Sequence, residues 1–230
     1  MLMWGREGSG EGEFFTPQDV LVTPENTVLV TDDLNGRVQE FDSVGTFLSA
    51  FGSWGTGDGQ MRNPRGIALD RSGNIYIADS SNNRVQKFNR SGVFQSKFGS
   101  YGTGDGEFDI VGDVAVSRGG TIYVTDLLNY RVQMFDSLGS FITKWGERGG
   151  GPGQFQEPKS VAVDSSGSLY VGDSFNNVIQ VFSAAGSFVR MWGSLGEGDG
   201  QFDVPVGIGI GSHGEVFVSD SNNRIQQFES

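Results

Sequence analysis

The chain has 230 residues, a formal net charge of −12 and no cysteine. The acidic charge argues against nucleic acid as a partner, because affinity for nucleic acid depends largely on lysine and arginine that displace counterions. The absence of cysteine excludes disulfides and thiolate metal sites, and it leaves the cellular compartment open. The sequence has no run of about eighteen apolar residues, so it predicts no membrane span.

One segment that begins at an aspartate and ends at a phenylalanine recurs along the chain. Its five copies are 32–41, 79–88, 126–135, 173–182 and 220–228. The leading aspartates are 47 residues apart (79 − 32 = 47), and a period of this length is typical of propellers and solenoids. We therefore interpret residues 1–230 as a single domain made of five repeats of 47 residues.

Each repeat alternates short apolar runs with glycine turns. In the second repeat, the runs 66–70 and 74–79 flank a turn at Gly73, and the runs 84–88 and 93–98 flank a turn at Gly92. Such runs predict four antiparallel strands in every repeat. Five of these sheets predict an all-β fold, a five-bladed β-propeller of four-stranded antiparallel blades.

The apolar rows of the repeats are interpreted as core. The first strands alternate large apolar residues with small ones such as Ala68 and Ala115, which a narrow ring of sheets requires. Aromatic residues recur in the fourth strands, for example Phe94 and Phe98. We expect these rings to fill the space between neighbouring blades.

The two ends of the chain predict how the ring closes. Trp4 lies 47 residues before Phe51, in the series that marks the end of each fourth strand, whereas the last repeat stops after its third strand at Phe228. We therefore expect the N-terminal strand to complete the last blade and so to pair two sheet edges.

The repeat resembles the NHL repeat. The pattern of a proline, a short apolar strand, Gly-x-Ile-Tyr-Val-x-Asp and Asn-x-Arg-Val-Gln-x-Phe stands at residues 64–88, and the resemblance covers essentially the entire chain. It implies a β-propeller that is used mostly for binding. Members of the family include RNA-binding domains, sensor domains of bacterial kinases and a zinc-dependent amidating lyase, so the activity has to be argued from individual residues.

Catalysis is not expected from the residues present. His213 is the only histidine, whereas a zinc lyase needs several imidazole ligands. The glycine-rich connectors lack the lysine and hydroxyl residue of a phosphate-binding loop. The sequence therefore predicts neither an enzyme nor a cofactor or metal. The repeated pair exemplified by Asp79 and Arg84 is interpreted as a bridge across a tight loop, and Val178 replaces the arginine in the fourth repeat.

The loops between the second and third strands differ among the repeats. Repeats one, three and four carry apolar side chains where two and five carry serine and asparagine, and these side chains are Leu34, Leu127, Leu128, Tyr130 and Phe175. We predict that they contact a protein or peptide partner. The alternative is that some of them tuck into the grooves between blades.

The residues that enter the first strands are expected around the mouth of a central channel. Arg65 and Lys159 are candidates to orient the polar groups of a peptide there. Asp19 and Asp113 are interpreted as hydrated channel lining, with coordination of a cation as the alternative.

The leading functional hypothesis is a monomeric, non-catalytic module that recognises a protein or peptide on one face. One alternative is an RNA-binding domain, which the charge of −12 disfavours. A second alternative is a shortened or recently amplified scaffold without a specific partner, which the near absence of insertions among the repeats suggests.

Overall fold

The protein forms five antiparallel β-sheets arranged as the blades of a propeller, as the computed structural model that describes residues 3–229 shows. The first blade consists of Pro17–Val22, Val28–Asp32, Arg37–Phe41 and Phe47–Phe51. The second consists of Pro64–Leu69, Ile75–Asp79, Arg84–Phe88 and Phe94–Phe98. The third consists of Val111–Val116, Ile122–Asp126, Arg131–Phe135 and Phe141–Trp145.

The remaining strands belong to blades four and five. Blade four consists of Pro158–Val163, Leu169–Asp173, Val178–Phe182 and Phe188–Trp192. Blade five consists of Pro205–Ile210, Val216–Asp220 and Arg224–Phe228. A 3-10 turn, Ser80–Asn82, follows the second strand of blade two. Two connectors contain short parallel pairs, Arg6–Glu7 with Glu13–Phe14 and Ser53–Trp54 with Gln60–Met61.

The glycine turns take the left-handed backbone that their residue type permits. Gly73 and Gly120 have φ of 79° and 85°, and Asn26, at the same position of the first repeat, has φ of 62°. Glycine and asparagine adopt this conformation with less strain than other residues. The turns join adjacent antiparallel strands, so the predicted hairpins are confirmed.

The core lies between neighbouring blades. One buried cluster combines Ala68 and Tyr76 of blade two with Phe108, Val111 and Val114, which lead into and form the first strand of blade three. Small residues on one side of the first strand therefore make room for larger residues of the next blade, as predicted.

The aromatic residues of the fourth strands also cross from blade to blade. Phe98 packs on Phe135 with ring centroids 4.8 Å apart, and Trp145 packs on Phe182 at 5.8 Å. These contacts confirm the expected role of the aromatic rows in filling the space between sheets.

The predicted pairing of the N-terminal strand with the last blade is not seen within residues 3–229, where the last sheet has three strands. Met1 and Leu2 lie outside the described residues. Trp4 packs against Phe41 of blade one, with ring centroids 6.3 Å apart, so it covers the first blade as Phe51 covers the second. The apolar side chains on the facing sides of blades one and five, including Val20 and Ile225, are exposed.

Residues 3–229 include no helix that is long and apolar enough to cross a membrane.

Candidate functional site

The repeated aspartate anchors each connector between blades to the hairpin that follows. Asp79 is fully buried. Its carboxylate accepts hydrogen bonds from the main-chain N–H of Arg62 in the connector at 2.7 Å and from the Asn82 side chain at 2.9 Å. Arg84 Nε donates to it at 2.7 Å. The prediction of a bridge across a tight loop is confirmed, and the bridge also holds the connector in place.

The rest of the arginine side chain binds the connector. The terminal nitrogens of Arg84 donate to the main-chain oxygens of Thr56, Gly57 and Gln60 at 2.8–2.9 Å. The arginines of blades one, three and five make contacts of the same kind. A guanidinium with five donors in a rigid plane suits such a divergent set of acceptors, so this recurring ion pair has a structural role.

Sequence reasoning missed the glutamine that completes this network. Gln86 Nε2 donates to the Gln60 oxygen at 2.7 Å, and its Oε1 accepts the N–H of Gly59 at 3.0 Å. Both contacts recur at Gln133 in the next blade. The sequence did carry a signal: in all five repeats a glutamine stands two residues after the arginine position, including the fourth repeat, where valine replaces the arginine.

Blade four departs from the network because it carries Val178 at the arginine position. Asp173 is fully buried there. Its carboxylate accepts hydrogen bonds from the N–H groups of Gln156 and Glu157, both at 3.0 Å, and from the Asn176 side chain at 2.6 Å. These donors are neutral, so the charge of Asp173 is not matched by a cation among them.

The loops between the second and third strands and the connectors into the first strands lie on the same side of the blades, which we call the top face. On this face, Leu34, Leu128 and Phe175 are exposed, and Phe175 is the most exposed of the three at 64%. These three predicted partner-binding residues are accessible, and each belongs to a different blade.

Leu127 is buried, with only 5% of it exposed. It therefore does not have the exposure expected of a partner-binding residue. A Cβ atom built on Gly112 would lie 2.1 Å from Leu127 Cδ1. The leucine side chain therefore fills the space that the absent side chain of Gly112 leaves, as the alternative of tucking into the fold anticipated.

Tyr130 is half-buried and has a left-handed backbone, with φ of 55°. The guanidinium carbon of Arg148, in the connector that leads to blade four, lies 5.4 Å from the centre of its ring. This cation–π contact holds a tyrosine and an exposed arginine together on the top face. The stacked pair places an aromatic surface and a positive charge near Leu128, which lies in the same loop as Tyr130.

The first strands line a central channel that is open between blades one and five, with a volume of about 870 Å³. Its lining includes all four predicted residues of its mouth, Asp19, Arg65, Asp113 and Lys159. Each of the four is half-buried. The structure thus brings these four residues together around one opening.

The two aspartates of the channel join neighbouring blades. Asp19 accepts a hydrogen bond from the N–H of Ile67 in blade two at 3.0 Å, and Asp113 accepts one from the N–H of Val161 in blade four at 2.8 Å. Both carboxylates thus have structural partners. Among residues 3–229, no three histidine, cysteine or acidic residues are placed to hold a metal ion.

Burial changes the ionisation of this pair. It raises the pKa of Asp19 to about 6, although the N–H donors of Ile67 and Val20 act in the opposite direction. Burial also raises the pKa of Asp113 well above its usual range, and the charge of Asp19 raises it further. Desolvation disfavours the charged form of a carboxyl group, and a second negative charge nearby has the same effect.

The single histidine is remote from the channel mouth in the fold. His213 lies in the turn between the first two strands of blade five, at the end of the blade opposite the top face, and its side chain is highly exposed. Its Nδ1 lies 3.2 Å from Ser212 Oγ and 3.4 Å from a carboxylate oxygen of Glu215. These neighbours belong to its own turn, which the top-face residues do not reach.

The comparisons with known proteins agree with this architecture. The NHL repeat family matches residues 61–88, and a family described as a 6-bladed beta-propeller matches residues 109–190. The chain is thus a β-propeller built of repeated four-stranded units. More particularly, the match at residues 61–88 confirms the resemblance of its repeats to the NHL repeat.

One curated relative is the protein lin-41 of Caenorhabditis elegans, which is 45% identical over 49 residues. The match spans 21% of this chain and 4% of that protein. It therefore concerns about one repeat, and the functions of the whole relative are not carried over with it.

Solved structures with a similar fold include streptogramin lyases. A streptogramin B lyase has a TM-score of 0.67 and 15% identity over 93% of this chain and 68% of its own. Virginiamycin B lyase from Staphylococcus aureus has a TM-score of 0.64 and 13% identity over 92% of this chain and 69% of its own. At this level of identity the likeness concerns the fold alone.

Proposed function

We propose that this propeller is a non-catalytic binding module that recognises a protein or peptide on its top face. The observation that carries the proposal is the exposure of Leu34, Leu128 and Phe175 on loops where other blades have polar residues. Exposed aromatic and aliphatic side chains on a rigid scaffold are typical anchors of protein interfaces.

Polar and charged groups near these anchors support a peptide ligand in particular. The channel mouth presents Arg65 and Lys159 beside Asp19 and Asp113, and Arg148 is stacked on Tyr130. A peptide supplies both carbonyl and amide groups, so it can use charges of both signs together with apolar anchors. A uniformly acidic ligand such as RNA would meet the overall charge of −12.

The non-catalytic part of the proposal is supported by the surroundings of the titratable groups. The aspartates that recur in the blades accept hydrogen bonds from the fold itself, as Asp79 and Asp126 do, and His213 is on the other side of the blades. General acid–base chemistry needs a titratable group within reach of a bound substrate. The groups that face the channel, Asp19 and Asp113, are held by main-chain N–H donors of two blades.

The proposal is tested by selecting a random peptide library on the immobilised protein and measuring the affinity of the enriched peptides by calorimetry. The double substitution Leu128→Ser and Phe175→Ser is expected to weaken binding by about tenfold or more, because it removes two apolar anchors. The melting temperature should stay nearly unchanged, since both side chains are exposed.

Leu138→Ser is the control, because Leu138 is also an exposed apolar side chain but lies in the turn between the third and fourth strands, on the opposite side. It should leave peptide affinity unaltered. Equal losses in both variants would contradict a top-face site. Single-stranded RNA is titrated in parallel at physiological ionic strength, and salt-dependent RNA binding without peptide enrichment would favour the RNA-binding alternative.

A further inference from the structure

The connectors between the blades carry a second row of exposed side chains on the top face. The third residue after each fourth strand is Trp54, Tyr101, Arg148 or Leu195. The two aromatic residues and the leucine are exposed, and Tyr101 is the most exposed of the three at 72%. Comparison of the loops between the second and third strands leaves these residues out.

Each connector lies between the loops of two successive blades. A Cβ atom built on Gly36, in the loop of blade one, would lie 2.8 Å from the main-chain nitrogen of Trp54. The Asn82 side chain, in the loop of blade two, donates to the oxygen of Gly55 at 2.9 Å. The asparagine contact recurs in the three blades that follow. Connector residues and loop residues therefore alternate around the top face. We call the exposed apolar members of this series the apolar arc: Leu34, Trp54, Tyr101, Leu128, Phe175 and Leu195.

The same connectors hold most of the negative charge of the protein. They are residues 5–16, 52–63, 99–110, 146–157 and 193–204. These segments contain twelve acidic and three basic residues, which gives a formal charge of −9 (3 − 12 = −9) within the total of −12. A surface with one dominant sign of charge attracts ligands of the opposite sign.

The connector after blade four has carboxylates that no basic side chain neutralises. In the connector after blade two, Lys144 lies 2.7 Å from Asp105. Met191 stands at the lysine position for the connector after blade four. Glu197 and Asp199 are exposed on that connector, and within residues 3–229 neither forms a salt bridge. Their negative charges are therefore available to a cationic ligand.

We propose that the apolar arc binds a basic peptide segment, one that contains lysine or arginine together with large apolar residues. Apolar side chains on an acidic surface complement such a segment in both respects. The exposed rings of Trp54 and Tyr101 suit its cations, because a cation over an aromatic face is attracted by the ring. The top face already has one such contact, between Arg148 and Tyr130. The proposal rests on the proposed function, because it names the class of peptide that the top face recognises.

The experiment measures how much of four fluorescent nonapeptide libraries is retained on the immobilised protein at physiological ionic strength. Three libraries mix leucine, phenylalanine and tyrosine with lysine and arginine, with glutamine and asparagine, or with glutamate and aspartate. The fourth mixes lysine and arginine with serine only. We expect the basic apolar library to be retained about tenfold more than the neutral library, and the acidic library to be retained least. Added salt should reduce the preference.

The connector residues are tested by the double substitution Trp54→Ser and Tyr101→Ser. It should lower retention of the basic apolar library by about tenfold or more, because it removes two anchors. The melting temperature should stay nearly unchanged, since both side chains are exposed. Val44→Ser with Leu138→Ser is the control. It removes two exposed apolar side chains from turns on the opposite side and should leave retention unaltered.

The charge is tested by Glu197→Gln with Asp199→Asn. Loss of the two carboxylates should lower retention of the basic apolar library by about threefold and leave that of the neutral library unchanged. Glu25→Gln with Glu215→Gln is the matched control, because it removes the same charge from turns between first and second strands, on the opposite side. It should leave both libraries unaffected.

The outcomes distinguish this proposal from the more general peptide-binding function. If the neutral library is retained as well as the basic one and both are lost in Leu128→Ser with Phe175→Ser, the general function stands and the basic segment is refuted. If Trp54→Ser with Tyr101→Ser changes nothing, the connectors are not part of the site. Equal retention of the basic libraries with and without apolar residues would reduce the binding to non-specific attraction. Retention of none of the libraries would refute the peptide-binding function itself.

Discussion

The carboxylate of Asp113 occupies the place where a side chain of Gly66 would lie. A Cβ atom built on Gly66 would be 1.8 Å from Asp113 Oδ1. The first strands of successive blades therefore share one space at this level of the channel, and an aspartate in one blade requires a very small residue in the blade before it.

This relationship predicts a strong coupling between the two positions. Gly66→Ala is expected to destabilise the fold by about 1–3 kcal/mol, as overpacked core substitutions do. Asp113→Gly, which places at 113 the residue found at 66 and 207, should remove most of that loss. Urea unfolding of the two single variants and the double variant would then give a coupling free energy of about 1 kcal/mol or more.

Gly209 provides the control for the glycine substitution itself. It also lies in a first strand, but a Cβ atom there would have no neighbour within 4 Å. Gly209→Ala is expected to leave the free energy of unfolding unchanged or to raise it slightly. A coupling near zero in the Gly66 and Asp113 cycle would refute the steric explanation.

The raised pKa of Asp19 predicts a dependence of stability on pH. Its folded-state pKa is about 6 and the value for an unperturbed group is 3.8, so the folded state binds the proton more tightly. The contribution of this group is fully present below pH 4 and is lost as the pH rises through about 6. Between pH 4 and pH 7.5 the loss should be about 2 kcal/mol, allowing for partial exposure.

The measurement is the difference in unfolding free energy between the unaltered protein and Asp19→Ser at several pH values, because groups that do not interact with Asp19 cancel in this difference. Asp19→Ser also removes the charge that raises the pKa of Asp113, and this adds a contribution of the same sign. The advantage of the unaltered protein should shrink as the pH rises. Asp136→Asn is the control of opposite sign, since main-chain N–H donation, led by Ser140, lowers the pKa of Asp136. The contribution of Asp136 is present above its usual pKa and is lost as the pH falls.

Because the ion pair between Arg131 and Asp126 is buried, we expect the loss of Arg131 to lower the free energy of unfolding strongly. Arg131→Ala removes the cationic donor from the buried carboxylate of Asp126 and one donor from each of three connector oxygens. Removal of one partner of a buried pair typically costs about 3–5 kcal/mol. Thermal and urea unfolding should both show the loss.

Lys144→Ala tests the same chemistry at the surface. Lys144 lies 2.7 Å from Asp105, and both side chains are well exposed. Exposed pairs contribute about 1 kcal/mol at most. If Arg131→Ala cost no more than Lys144→Ala, the network around Asp126 would not be the structural element inferred from its contacts.

The blades could be predicted from the sequence because the same pattern of strands, turns and aromatic rows occurs in all five repeats. The burial of Leu127 could not be predicted in this way. It depends on Gly112, which lies on the neighbouring strand and leaves a space only because Val111 pairs with Asp126. A compensating pair between strands becomes visible when the register is known, whereas comparison of the loops alone suggests an exposed leucine.

The candidate site shows a similar limit. The residues of the channel mouth were predictable, since the repeat period aligns them at the start of each first strand. The lack of an arginine partner at Asp173 was visible in the sequence, because Val178 stands at the arginine position. The oxygens that the arginine binds in the other blades became visible only in the contacts of Arg84 and Arg131.

On the side of blade five that faces blade one, we expect a core-type substitution to have an unusually small effect on the free energy of unfolding. Ile225 is 70% exposed, whereas Ile179, at the same position of blade four, is fully buried. Ile179→Ala should lower the unfolding free energy by about 2–5 kcal/mol. Ile225→Ala should lower it by less than about 1 kcal/mol, since it uncovers little that solvent does not already reach.

The comparison also tests the closure expected from the chain ends, because the two substitutions are chemically identical and differ only in what covers the side chain. If the N-terminal strand completes the last blade in solution and blade one packs against it, Ile225 becomes buried and its substitution approaches the cost of Ile179→Ala. A small loss at Ile225 together with a large loss at Ile179 supports the arrangement in which Trp4 covers Phe41 and the third strand of blade five remains an edge.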